Sequence, residues 1–238
     1  MVLMVDEVER YIGLEVKDPY GRKVGRIVAV YSEVDGSVTG VELEVNEDTF
    51  TTIPVSRIKI NDDGELQIIP EWKAEALSLI KQLDKAKRRI KALDDLYSKN
   101  EIPRHAYDEF RKKVERNLSM LKIKAKEVKQ MLKKRTNRLE DTIIQIEKAI
   151  TALKMSYLAG ELSEKGYKAA IEALRQAKDK AVEEKEDIKK ILNRIENLER
   201  EPVEIKLPSS QSKSVETKPK VEAPATPETP ILVQVLEG

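Results

Sequence analysis

Two periodicities divide the chain. In residues 1–70, Val38, Val41, Leu43 and Val45 lie beside Glu42 and Glu44 in a two-residue alternation, and turn signals at Asp35-Gly36 and Asp63-Gly64 bound the runs. The pattern predicts several short strands, and so many in so short a stretch predict a small barrel, whose closure removes exposed edges. Its expected core is Ile12, Val16, Val24, Ile27, Val30, Val41, Leu43, Val45, Ile53, Val55, Ile58, Leu66 and Ile68. After Pro70 the period lengthens. Ala76, Leu79, Ile80, Leu83, Ala86, Ile90, Leu93 and Tyr97 recur at three- and four-residue steps, which makes one apolar stripe on a helix from about 71 to 99. Pro103 opens a second helix whose seam runs from Phe110 to Tyr157 without a Gly or Pro, on the order of 80 Å at 1.5 Å per residue. Gly160 ends it, Ser163 caps a third, and Tyr167, Ile171, Leu174, Ala177, Ala181, Ile188, Ile191, Ile195 and Leu198 form the third stripe before Pro202.

The two helix corners repeat one pattern. Leu93, Tyr97, Glu101, Ile102 and Tyr107 match Leu153, Tyr157, Glu161, Leu162 and Tyr167 at a constant offset of 60. Both are read as tight reversals in which the paired tyrosines pack around the Ile or Leu of the turn. The first and third helices then lie antiparallel on the second, bringing position 85 near 118 and 146 near 175, and they overlap near its middle in a short three-helix zone. Between Leu132 and Ile143 the second seam slips, with Arg135 and Thr136 on or near the stripe. Such a slip predicts a bend or a change of partner.

Composition limits the chemistry. Hydrophobic residues make up 40% and charged residues 37% of the 238 residues, with two Phe and one Trp, so one large core is not expected. There is no cysteine, which excludes disulfides, thiolate metal sites and cysteine nucleophiles. His105 is the single histidine and reads as a solvated surface residue. Gly21-Arg22-Lys23-Val24-Gly25 joins strand to strand, so it reads as a hairpin bend and not as a phosphate-binding loop. The carboxylates lie mostly on helix faces beside Lys or Arg, as solvated partners do. Neither catalysis nor a cofactor is expected. No apolar run approaches the roughly 20 residues of a membrane span, and Met1 to Leu14 lacks the pattern of a signal peptide, so a cytoplasmic protein is expected.

Charge is uneven. Residues 1–70 hold 14 acidic and 7 basic side chains, a net of −7, whereas residues 104–138 hold 13 basic and 4 acidic ones, a net of +9. This asymmetry suits self-assembly, with the acidic sheet of one copy against the basic helix of another, or contact with a polyanion such as DNA or anionic lipid. The candidates are Lys122, Lys126, Lys129, Lys133, Lys134, Arg135 and Arg138. A solvated coiled-coil face is the plainer reading, and base-specific readout is not expected, since no DNA-reading motif or interleaved aromatic is present.

From Pro202 to Thr229 the chain has five prolines, many Ser, Thr, Lys and Glu residues and no aromatic, a composition that predicts a disordered linker. Pro230-Ile231-Leu232-Val233-Gln234-Val235-Leu236 follows it. Ile231 to Leu236 is long enough for a strand and rich in strand formers, so it reads either as a docking peptide that adds an edge to another protein's sheet or as an end that folds back or frays.

The run Gly13-Leu14-Glu15-Val16-Lys17-Asp18-Pro19-Tyr20-Gly21-Arg22-Lys23-Val24-Gly25-Arg26-Ile27, with Thr51-Thr52-Ile53-Pro54-Val55-Ser56-Arg57-Ile58, resembles a PRC-barrel. The whole order is an α+β multidomain one: barrel over 1–70, antiparallel three-helix coiled coil over 71–201, linker over 202–229 and apolar peptide over 230–238. It resembles the archaeal cell-division protein A (CdvA) family. That resemblance implies a non-enzymatic protein that forms filaments at mid-cell near the membrane and has been associated with DNA. It also implies that the carboxyl-terminal peptide, here Pro230 to Leu236, recruits the ESCRT-III-like protein CdvB by adding a strand to its winged-helix region, so that membrane association is indirect.

Overall fold

The computed structural model describes residues 3–200. Six strands form one curled, barrel-like sheet: β1 (Glu15–Lys17), β2 (Lys23–Ser32), β3 (Val38–Asn46), β4 (Thr49–Pro54), β5 (Ile58–Ile60) and β6 (Leu66–Ile68). Their order is β4-β3-β2-β1-β6-β5, antiparallel except for the β1/β6 pair. The ladder thus ends at β4 and β5, which are joined in sequence by a 3-10 turn over Val55–Arg57, so the sheet curls without the closure expected to remove its edges. Gly25 is fixed by close approach: a Cβ there would lie 2.6 Å from the Glu44 carbonyl oxygen on β3.

Two parts of the expected core differ. Val5–Val8 forms a short helix α1, continued by a 3-10 turn at Glu9–Tyr11, where strand was expected. Val5, Val8 and Tyr11 are spaced by threes, so they reach the sheet core from one face, and the Tyr11 hydroxyl donates to the Gly64 carbonyl at 2.5 Å. Leu3, Val8, Tyr11 and Val38 are buried, whereas Ile12 (47% exposed) and Val45 (40% exposed) are not.

Three helices follow: α2 (Glu71–Ser98), α3 (Arg104–Leu158) and α4 (Glu164–Arg200). α3 runs its 55 residues unbroken. Asp94 of α2 meets Arg111 of α3 at 2.5 Å, and Glu147 of α3 meets Lys178 of α4 at 2.7 Å, so each neighbour lies antiparallel on α3 as the corners require. In the middle all three share one core, built from Trp72, Ala76, Leu79 and Leu83 of α2, Ala125, Val128, Leu132 and Leu139 of α3, and Ala181, Ile188, Ile191 and Ile195 of α4.

The repeated sequence makes repeated geometry. Tyr97 stacks on Tyr107 with centroids 4.4 Å apart, and Tyr157 on Tyr167 at 4.3 Å. The rings stack at both corners, and beside them the turn residue is half-buried in Ile102 and 37% exposed in Leu162. Asn100 (φ 58°) and Gly160 (φ 79°) occupy the same left-handed position one residue before the shared Glu. At each corner two backbone N–H groups close the helix end: Asn100 N–H to Tyr97 O and Glu101 N–H to Leu96 O, matched by Gly160 to Tyr157 and Glu161 to Ser156, all at 3.0 to 3.1 Å. Gly160→Val places a β-branched residue in this conformation, which disfavours it by about 1 to 2 kcal/mol. The expected result is a lower midpoint in urea unfolding with unchanged slope, and no change for the milder Asn100→Gly.

Candidate functional site

Helix α4 carries a carboxylate where its stripe calls for an apolar residue. Glu184 falls between Ala181 and Ile188 on the seam and is fully buried. Its Oε1 accepts from Arg135 Nε at 2.7 Å and Trp72 Nε1 at 3.0 Å, and its Oε2 from Arg135 Nη2 at 2.9 Å and Arg22 Nη2 at 2.5 Å. Four elements therefore converge on one side chain: the β1–β2 connection, the start of α2, the middle of α3 and the middle of α4. Burial alone would raise the Glu184 pKa, but the hydrogen bonds and charges of Arg135 and Arg22 outweigh it and hold the pKa below the ordinary value.

The sheet's contribution is built locally. The Asp18 carboxylate accepts from the backbone N–H groups of Tyr20 and Arg22 at 2.9 Å each, and from Arg22 Nε at 2.8 Å, so a buried aspartate shapes the turn and aims the arginine. Tyr20 leaves the sheet core and joins the helical one, and its hydroxyl donates to Asp187 at 2.6 Å. Burial raises the Tyr20 pKa, and the hydrogen bond to Asp187 raises it further, which keeps the phenol a donor. Lys73 meets Asp187 at 2.7 Å, and Lys180 Nζ donates to the Gly21 carbonyl at 2.9 Å. Although the sheet region is acidic, it is its arginine that meets a helical glutamate. This junction binds sheet to helices and accounts for the slipped seam of α3: Arg135 sits on the stripe because Glu184 faces it, at the place where α3 is passed from α2 to α4.

The seven basic residues separate into two stripes on α3. Lys122, Lys126, Lys129 and Lys133 share one, with Lys129 paired to Glu199 at 2.6 Å and the other three exposed. On the second, Lys134, Arg135 and Arg138 line a cleft of about 650 Å³ with Arg22, Arg57, Glu127 and Glu184. Arg135 is committed to Glu184, while Lys134 and Arg138 are exposed. His105 is exposed at the start of α3. The peptide Pro230 to Leu236 and the linker before it lie outside the described residues. Glu184, Trp72 and Asp187 were not singled out by the sequence, in which Tyr20 and Arg22 stand only as parts of the hairpin bend and the barrel-like run, and the one signal for the buried carboxylate was the step of seven from Ala181 to Ile188 in the third stripe. Among the described residues no helix is long and apolar enough to cross a membrane.

Residues 71–218 match the family described as the CdvA-like coiled-coil domain. The chain is 38% identical over 216 residues to a protein of Sulfolobus acidocaldarius named cell division protein A, an alignment that covers 91% of this chain and 90% of that one. No solved structure matches.

Proposed function

Because the chain belongs to the CdvA-like coiled-coil family, we propose that it is a non-enzymatic structural and recruiting protein of cell division. In this reading it assembles with copies of itself in the cytoplasm at the mid-cell division site. It recruits an ESCRT-III-like partner of the CdvB type through Pro230 to Leu236, which add a strand to the partner's winged-helix region, and it reaches the membrane through that partner. The observation that carries the reading is the length of the similarity to a named division protein, which spans sheet and helices together. The junction at Glu184 supports a scaffolding role, since the side chains there neutralise one another within the fold. The test is calorimetry of the partner's winged-helix region against the full chain and a chain ending at Thr229. Binding by the full chain alone is expected, and equal binding by both would place the contact elsewhere.

A second reading is coating of DNA through α3, favoured by the exposure of Lys122, Lys126, Lys133, Lys134 and Arg138. Replacing Lys122, Lys126, Lys133 and Arg138 by Glu spares the internal pairs of Lys129 and Arg135. If these groups meet phosphates, DNA affinity at low salt falls and the slope of log affinity against log salt drops by about four, with helical content unchanged. An unchanged slope would mark a solvated face only.

A further inference from the structure

The two edges of the sheet differ. β5 is three residues long with Lys59 at its centre, a short charged edge of the kind that resists pairing. β4 is six residues, Thr-Phe-Thr-Thr-Ile-Pro, with no charge, and it is exposed at every position except Ile53. Only β3 pairs with it, so its outer side offers main-chain donors and acceptors without a strand partner among the described residues. Phe50 is 56% exposed there. Its guards are confined to its ends: Pro54 at one, and a register irregularity between Glu44 and Asn46 at the other. Thr and Phe have high strand preference.

We propose that β4 is a self-association edge, on which the β4 strand of a second copy pairs antiparallel about a two-fold axis through Thr51. The occupant follows from charge and symmetry. Pairing centred on Thr51 sets Phe50 opposite Thr52 of the second copy and the reverse, a self-complementary arrangement that keeps outer faces together. The acidic turn at Glu47 and Asp48 then falls beside the uncharged Pro54 and Val55 of the second copy. On the outer face, Glu44 is already held by Arg26 and Glu42 by Thr52 and Tyr31, so no free carboxylates are forced together. The net charge of −7 on each residue 1–70 region still repels at a distance. Added salt screens that repulsion and strengthens this contact, whereas it weakens one made by an acidic sheet against a basic helix.

The inference rests on the self-assembly reading above, and the test separates the two. Sedimentation of the full chain from about 0.05 to about 0.5 M salt should show association that rises with salt. Thr51→Lys and Thr51→Glu each place like charges across the two-fold and should weaken association at least about tenfold alone, while a mixture of the two restores it. Because the chain has no cysteine, Thr51→Cys should give an interchain disulfide on mild oxidation, and Ser119→Cys on the face of α3 should not. Wild-type association that neither charge variant alters, with no disulfide at 51, overturns the β4 contact and leaves self-assembly to another surface. A wild-type chain that stays monomeric at every salt concentration overturns both.

Discussion

Glu184→Ala will destabilise the folded chain by about 3 to 5 kcal/mol, because it strands two guanidinium groups in a site shaped for a carboxylate. Arg135 loses a bidentate partner, Arg22 keeps only Asp18, and the Trp72 indole N–H loses its acceptor. Removing all three charges together is a different experiment. Glu184→Leu combined with Arg22→Met and Arg135→Leu leaves the Asp18 carboxylate with its two backbone N–H donors alone, so it should recover part of the loss and not all of it. Urea unfolding followed by far-UV circular dichroism gives both numbers. If the single and triple variants lose the same stability, the cluster does not act as a unit. Acid gives an independent check. Since the Glu184 pKa is lowered in the folded chain, its contribution is present above the ordinary value of 4.5 and is lost as pH falls through the folded value. Glu184→Gln should therefore show a smaller loss of stability than wild type over that acid range.

Val233→Asp in the carboxyl-terminal peptide should weaken binding to the partner's winged-helix region by more than about 100-fold, because strand addition would bury an unpaired carboxylate. If the peptide docks as the strand proposed above, alternation would send Ile231, Val233 and Val235 to one face and Leu232, Gln234 and Leu236 to the other. Each apolar side chain gains about 1.5 to 3 kcal/mol on burial, and association with ordering of a free segment takes back much of it. The proposed docking is therefore expected to have a net affinity in the micromolar range, about −8 kcal/mol. Val235→Pro should be as severe, by removing a ladder donor, and Gln234→Ala mild. Calorimetry of a synthetic peptide of residues 226–238 distinguishes these cases. Equal affinity for the Val233→Asp and wild-type peptides would end the strand-addition account.

The fold was legible wherever periodicity was long. The α3 stripe from Phe110 to Tyr157 and the repeated Tyr-Glu corners announce the helices and their reversals, because dozens of positions obey one rule. The four-residue α1 is too short for a period to declare itself within a run of strands. The junction was hidden for another reason. A glutamate on an apolar stripe reads as an interruption until its partners are known, and those partners lie 49, 112 and 162 residues away in Arg135, Trp72 and Arg22. Arg135 was further disguised by its neighbours Lys133, Lys134 and Arg138, since a basic run points outward by composition while one member of it turns inward.

The corner repeat has a geometric consequence. Two corners of the same backbone stand at opposite ends of α3, where the chain runs in opposite directions, so they are related by a pseudo-two-fold axis across that helix. The chemistry breaks this relation. One corner ties Tyr107 and Arg111 to a buried Asp94, with the hydroxyl at 2.8 Å and the guanidinium at 2.5 Å. The other has Lys154 and Ile171 at the positions of Asp94 and Arg111, and it leaves Met155 (66%) and Leu158 (85%) exposed. One end therefore holds a buried ionic contact, with Phe110 (53%) and Leu96 (39%) exposed beside it, and the other end lacks that contact. In the proposed assembly, copies laid in one sense would give a row with a distinct head and tail, whereas copies related by the two-fold contact at β4 would leave its ends alike.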